Sequence, residues 1–220
     1  RSGVDKDEVD AVAFTRGPGL LGSLMVGTSF AKAFSLAQNI PLIGVNHLQA
    51  HILAHFIKDP DDKDHSEPGF PYLCLLVSGG HTQLTVVRDY LDMEIIGQTI
   101  DDAAGEAFDK IARYVGLGYP GGPIIEEKAK QGREDAIDFP RPFIDKDNYD
   151  FSFSGLKTAV INYIHNQKQK GNELDAEDIA ASFQRAVIDI LTAKTVKAAL
   201  HKNVNSVILS GGVAANKRFR

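Results

Sequence analysis

Short apolar runs end in the same polar phrase at two places in the chain. Leu75-Leu76-Val77-Ser78-Gly79-Gly80 and Val207-Ile208-Leu209-Ser210-Gly211-Gly212 each close a leucine- and β-branched run with Ser-Gly-Gly. Such runs predict buried strands. Two glycines after a strand let the backbone turn tightly and approach a ligand, and exposed N–H groups at such a turn form an anion-binding concavity. A single copy reads more readily as a plain turn; the repeat favours two related lobes around one phosphate-bearing ligand.

The remaining pattern predicts alternating strands and helices. Strands are expected at Val9–Phe14, Leu42–Val45, Tyr72–Val77, Thr82–Val87, Glu94–Gln98 and Val207–Leu209. Apolar spacing predicts helices at Ser23–Ala37, Asp101–Val115, Ile124–Gln131, Leu156–Gln167 and Asp178–Leu200. Asn46 is the expected cap of a further helix from His47 to about Phe56. Lys58–Gly69 and Asp135–Asp150 read as irregular, and Gly116–Pro123 as a glycine-rich loop near the lobe boundary. The class is therefore α/β, with a first lobe at 1–115 and a second at 116–220.

Composition adds bounds. With 220 residues, 43% hydrophobic and 24% charged, the chain has ample core for one large domain or two small ones. A net charge of −5 argues against a stand-alone nucleic-acid binder, though not against a local patch or a partner that touches nucleic acid. The one cysteine, Cys74, lies inside an apolar run, which fits a small buried hydrophobe and a reducing, cytoplasmic compartment. No apolar stretch has the length of a membrane span, and no signal peptide is visible. The ends, Arg1 and Arg220, read as those of an interior segment of a longer protein.

Several clusters carry chemistry. His47 and His51 stand four apart on an expected helix, a spacing that puts both imidazoles within reach of one metal ion. The same pair also reads as surface histidines, and no third ligand stands nearby. Leu48 follows His47 where the peptidase motif His-Glu-x-x-His carries its base. His81 reads as a strand-end cap as readily as a functional group. Asp101 and Asp102 suit a helix start through the dipole. Glu106 and Asp109 share a face and could reach a ribose or a metal-bound water, or simply face solvent. Tyr119-Pro120-Gly121-Gly122-Pro123 suggests close backbone approach to a ligand.

The strings also occur in a recognisable order. Gly17-Pro18-Gly19, Asn46–His51, Leu76–Leu84, Ile100–Lys110, Tyr119–Pro123, Phe151–Thr158 and Ser210–Asn216 together resemble the bacterial tRNA adenosine threonylcarbamoyltransferase family (TsaD/Gcp), once described as sialoglycoprotein endopeptidases. The resemblance covers nearly the whole chain. It implies a two-lobed fold of the actin, sugar-kinase and heat-shock-ATPase type. It implies transfer of threonylcarbamoyl from threonylcarbamoyl-adenylate to N6 of the adenine 3′ of the anticodon, in tRNAs reading codons that begin with A. His47 and His51 match the family's histidine ligands for iron or zinc, whereas His55 lies outside the motif. Leu76, Val77, Ser78, Gly79 and Gly80 match the loop that holds the adenylate and its carbamoyl group. Asp109, Gly122 and Asn216 match further nucleotide contacts. The general base stays unassigned, with His81 a weak candidate.

The resemblance further implies tRNA, a paralogous ATPase-fold partner and a small ATPase as partners, a separate enzyme that makes the adenylate, and no membrane. The family's opening phosphate segment would precede Arg1 and its aspartate metal ligand would follow Arg220, so residues 1–220 alone are expected to bind metal weakly and to be inactive. Three rival readings remain: a metal-dependent peptidase, a non-catalytic partner of the same fold, and a plain ATPase or sugar kinase. The histidine pair counts against the last two.

Overall fold

The computed structural model describes residues 3–58 and 67–220, so most of the loop expected at 58–69 lies outside the described residues. The chain divides into two compact units, Arg1–His65 and Ser66–Arg220. The interior of the expected Gly116–Pro123 boundary thus falls within the second unit.

In the first unit, β1 (Val12–Gly17) runs parallel to β2 (Leu42–Asn46), with Val12 opposite Leu42 and Gly17 opposite Asn46. Parallel neighbours need a crossover, and α1 (Leu21–Gln38) supplies it. Asn39 ends α1 in the left-handed region at φ 54°, and the Ser35 hydroxyl donates to the Ile40 carbonyl at 2.6 Å. β1 starts later than the apolar pattern suggests, because Lys6–Glu8 form a 3₁₀ turn closed by a capping box on Asp5. The apolar spacing that predicts α1 is only partly buried: Ala31 is buried while Phe30 remains 68% exposed. The short helix α2 (His47–Leu53) begins as expected: the Asn46 Oδ1 accepts from the N–H groups of Leu48 and Gln49 at 2.9 and 3.2 Å. It tightens into a 3₁₀ turn at Ala54–Phe56.

The second unit is built on a four-stranded sheet. β3 (Tyr72–Val77), β4 (Thr82–Val87), β5 (Met93–Gln98) and β6 (Val207–Ser210) stand in the order β5-β4-β3-β6. β4 pairs antiparallel with β3 and β5, and β6 pairs parallel with β3. All residues of β3 and β4 are buried; β3 accordingly reads as a continuous apolar run rather than an alternation, whereas β4 buries the polar Thr82, Gln83 and Thr85 as well. The core beside the sheet comes from α3 (Ala104–Val115), α4 (Gly121–Ala129), α5 (Ser154–Gln169) and α6 (Ala176–Lys202). Phe108 on α3 meets Phe183 on α6 edge to face, with ring centroids 5.2 Å apart. Burying such a ring contributes roughly 1.5–3 kcal/mol. Inside α6, Lys194 is fully buried and its ammonium donates to the carbonyls of Lys146 (3.1 Å) and Asn148 (2.8 Å), pinning the irregular segment before α5. Burial, with Lys197 nearby, pushes its pKa down. No helix among the described residues is long and apolar enough to cross a membrane.

Two aspartates depart from their expected roles. The helix expected from Asp101 begins only at Ala104, whose N–H is capped at 2.9 Å by the Thr82 hydroxyl. Asp101 instead holds the start of α5: one oxygen accepts from the N–H groups of Phe153 (2.8 Å) and Ser154 (3.3 Å), the other from the Ser152 hydroxyl (2.5 Å). Asp102 bridges Lys110 on α3 (2.8 Å) and Lys157 on α5 (2.5 Å). Burial raises its pKa, but the two lysines outweigh burial and hold it below its ordinary 3.8. A carboxyl whose folded pKa is depressed contributes stability above its unfolded pKa and loses it as pH falls through the folded one. Asp102→Asn is therefore expected to lower stability at pH 6, with the gap to wild type closing below about pH 4. Denaturant titrations from pH 2 to 6 test this; a gap that does not change with pH would refute it.

Candidate functional site

The two Ser-Gly-Gly phrases meet at one end of the second unit's sheet. β3 and β6 run parallel with Leu76 opposite Ser210, so both turns open at the carboxyl ends of neighbouring strands, where α/β sheets bind ligands. The first phrase is also a hairpin turn: the Ser78 N–H donates to the His81 carbonyl at 2.8 Å, and the Ser78 Oγ accepts from the His81 N–H at 3.1 Å. In the second, Gly211 has φ +90°, and a Cβ there would press into the Val77 carbonyl. The two turns thus touch backbone to backbone.

A cavity of about 280 Å³ opens beside them, near the small end of the roughly 300–1,000 Å³ usual for ligand pockets. Its wall combines Gly79 after β3, Gly105 and Asp109 from α3, Gly122 and Glu126 from α4, and Asn216 after β6. Four stretches distant in sequence converge here. Of the expected substrate contacts, Gly79, Asp109, Gly122 and Asn216 line this cavity. Ser78 and Gly80 belong to the turn but are not part of its wall, and Leu76 and Val77 are fully buried in β3.

The glycines of the site fall into two groups. A Cβ on Gly105 would come within 2.5 Å of the Ser78 carbonyl, and one on Gly121 within 2.5 Å of the Phe108 carbonyl. Those two are glycine because backbones cross there. A Cβ on Gly79, Gly122 or Gly212 would meet nothing within 4 Å, and none of the three has a left-handed φ. Neither packing nor backbone angle accounts for glycine at these three cavity positions.

The polar side chains of the wall also hold it together. Asp109 Oδ1 accepts from the Gly121 N–H at 2.7 Å, capping α4, whose N-cap Pro120 has no side-chain bond to offer. Glu126 Oε1 accepts from the Lys217 N–H at 2.9 Å. Glu106, expected beside Asp109, points elsewhere and pairs with Lys110 at 2.7 Å. The residue that shares the wall with Asp109 is Gly105, one turn earlier in α3. Of the other wall residues, Pro120 belongs to the glycine-rich motif expected to approach a ligand, Gly105, Phe108 and Val213 lie inside motifs without an expected role of their own, and Glu126 lies outside every motif. The i, i+4 spacing from Asp109 is the signal that would have found Gly105.

In the first unit, His47 and His51 sit one turn apart on α2 with ring centroids 4.7 Å apart and ring planes at 75°. The Asn46 cap fixes the start of that helix. Two adjacent imidazoles fit as nitrogen ligands of one borderline cation such as zinc or iron. Among the described residues no group of three or more His, Cys, Asp or Glu is placed to hold a metal ion.

The family model described as "TsaD: tRNA N6-adenosine threonylcarbamoyltransferase" matches residues 1–220. A protein of that name from Clostridioides difficile (strain 630) is 50% identical over the whole chain, which covers 63% of it. Its namesakes from Porphyromonas gingivalis and Phocaeicola vulgatus are 53% and 52% identical, with 64% and 65% of their lengths covered. The chain therefore spans less than two thirds of these relatives. The crystal structure of T. kodakarensis HypF superposes with a TM-score of 0.66 over 96% of the chain and 35% of that protein; at 16% identity this likeness concerns the fold alone.

Proposed function

Because the chain belongs to the TsaD family of tRNA N6-adenosine threonylcarbamoyltransferases, we propose that the full-length protein transfers threonylcarbamoyl from threonylcarbamoyl-adenylate to N6 of the adenine 3′ of the anticodon, in tRNAs reading codons that begin with A. The observation that carries this reading is the set of cavity glycines with open space in front of them, Gly79, Gly122 and Gly212. A ligand that lies against bare backbone explains glycine where the fold does not.

In this reading the cavity takes the nucleoside part of the adenylate. Asp109 and Glu126 offer carboxylate oxygens to ribose hydroxyls, and Asn216 offers its amide. N–H groups of the Ser-Gly-Gly turns steady the oxygens of the phosphate and of the carbamoyl group as negative charge develops there. His47 and His51 hold one iron or zinc ion, which, when bound, supplies Lewis-acid polarisation of a substrate oxygen. The protein works in the cytoplasm with a paralogous ATPase-fold partner and a small ATPase. Leu48 stands where a zinc peptidase of the His-Glu-x-x-His type has its base, which weighs against peptide hydrolysis.

The test uses the full-length protein with its partners, threonylcarbamoyl-adenylate labelled in threonine, and tRNA. Label is expected on N6 of the target adenine, with the KM for the adenylate raised about tenfold in Asn216→Ala, as for loss of one hydrogen bond to a ligand. Wild-type protein that moves no label would overturn the assignment.

A further inference from the structure

A buried glutamine stands behind the one amide in the cavity wall. Gln184 projects from α6, is 4% exposed, and is not part of the cavity wall. Its Oε1 accepts from the Nδ2 of Asn216 at 2.7 Å. The Oδ1 of Asn216 accepts from the N–H groups of Arg218 (3.0 Å) and Phe219 (3.3 Å). Two backbone donors require an oxygen at that position, so they settle which way the carboxamide faces. They also use both of its lone pairs. Of the two Nδ2 hydrogens one goes to Gln184, and one is left for a ligand.

We infer that Gln184 is a positioning residue that holds the Asn216 amide so that it presents a single N–H donor to the cavity, and that the ligand atom bound there is an acceptor, such as a ribose or purine lone pair. This rests on the nucleotide reading of the cavity. Without Gln184 the amide is tied only through its oxygen and can swing about that tether. The ligand then loses a well-aimed donor while the backbone turn at 216–219 persists.

Calorimetric titration of the full-length protein with adenosine 5′-monophosphate tests this through four variants. Gln184→Met keeps the length but removes the acceptor, and is expected to weaken binding about tenfold. Gln184→Glu restores an acceptor and is expected to bind within about threefold of wild type, although its buried carboxylate lowers the melting temperature. Gln184→Met is expected to add nothing to Asn216→Ala in the double variant. Affinity that follows melting temperature in both Gln184 variants, or additive losses in the double variant, would overturn the inference. Wild-type protein that binds no nucleotide would instead sink the functional reading. The unliganded crystal structure of Gln184→Met then decides: an Asn216 amide turned from its place upholds the positioning role, and an unmoved one overturns it.

Discussion

Gly211→Ala is expected to destabilise the second unit by about 2–6 kcal/mol, from roughly 1–3 for a non-glycine residue in a sparsely populated backbone region and roughly 1–3 for overpacking. Position 211 has φ +90°, and the added methyl would meet the carbonyl of Val77, the last residue of the fully buried β3. Neither backbone can retreat, because β3 and β6 are register-locked from Leu73–Val207 to Leu76–Ser210. With whole domains stable by only about 5–15 kcal/mol, the variant is expected to unfold at a much lower denaturant concentration. Gly122→Ala gives the opposite outcome. Its methyl meets nothing, and it sits in the first turn of α4, where alanine is the better helix former by up to about 1 kcal/mol. That variant is expected to be as stable as wild type or slightly more so, while the affinity of the full-length protein for adenosine 5′-monophosphate falls at least about tenfold. Urea titrations followed by circular dichroism, with calorimetric binding alongside, separate the two. Equal unfolding midpoints for wild type and Gly211→Ala would refute the packing account. Unchanged nucleotide affinity in Gly122→Ala would remove the main support for a ligand at that backbone.

The same contrast explains what the sequence could and could not disclose. The hairpin β3–β4 was legible to the residue, because the apolar run of β3 stops at an unmistakable Ser-Gly-Gly-His turn and β4 starts directly after it. The start of α2 was legible for a local reason too, since Asn46 bonds the two N–H groups just beyond it. Starts set by distant partners were not. Asp101 looks like a cap for the helix that follows, yet its oxygens serve Ser152, Phe153 and Ser154, about fifty residues on. Gly121 and Gly122 look like loop, yet they open α4, because Asp109 caps that helix from α3. The candidate site was legible as a set of motifs and not as a surface. Which glycines the fold itself needs depends on which backbones cross: Gly211 meets the Val77 carbonyl where β3 pairs with β6, more than a hundred residues away, while Gly105 meets that of Ser78 and Gly121 that of Phe108.

Replacing His51 by alanine is expected to give the largest loss of function. On the proposed reading His47 and His51 contribute two ligands to one ion, and their helix presents them as a pair with ring centroids 4.7 Å apart. Residues that merely support a metal ligand change metal affinity by about 10–100-fold when mutated, so removing a ligand outright is expected to cost at least about 100-fold. In the full-length protein His51→Ala should therefore purify with far less than one equivalent of iron or zinc and transfer threonylcarbamoyl at least about 100-fold more slowly. The fold should survive, because α2 is held at its start by Asn46 and buries Ile52, neither of which the change touches. His55→Ala is the control. It continues the same row but lies in the 3₁₀ turn beyond α2, and it is expected to keep both metal and activity. Elemental analysis of the purified proteins, with circular dichroism and the transfer assay, reads all three quantities. Full metal content in His51→Ala would take the histidine pair out of the metal site, and equal losses in His55→Ala would show that the row matters to α2 rather than to an ion.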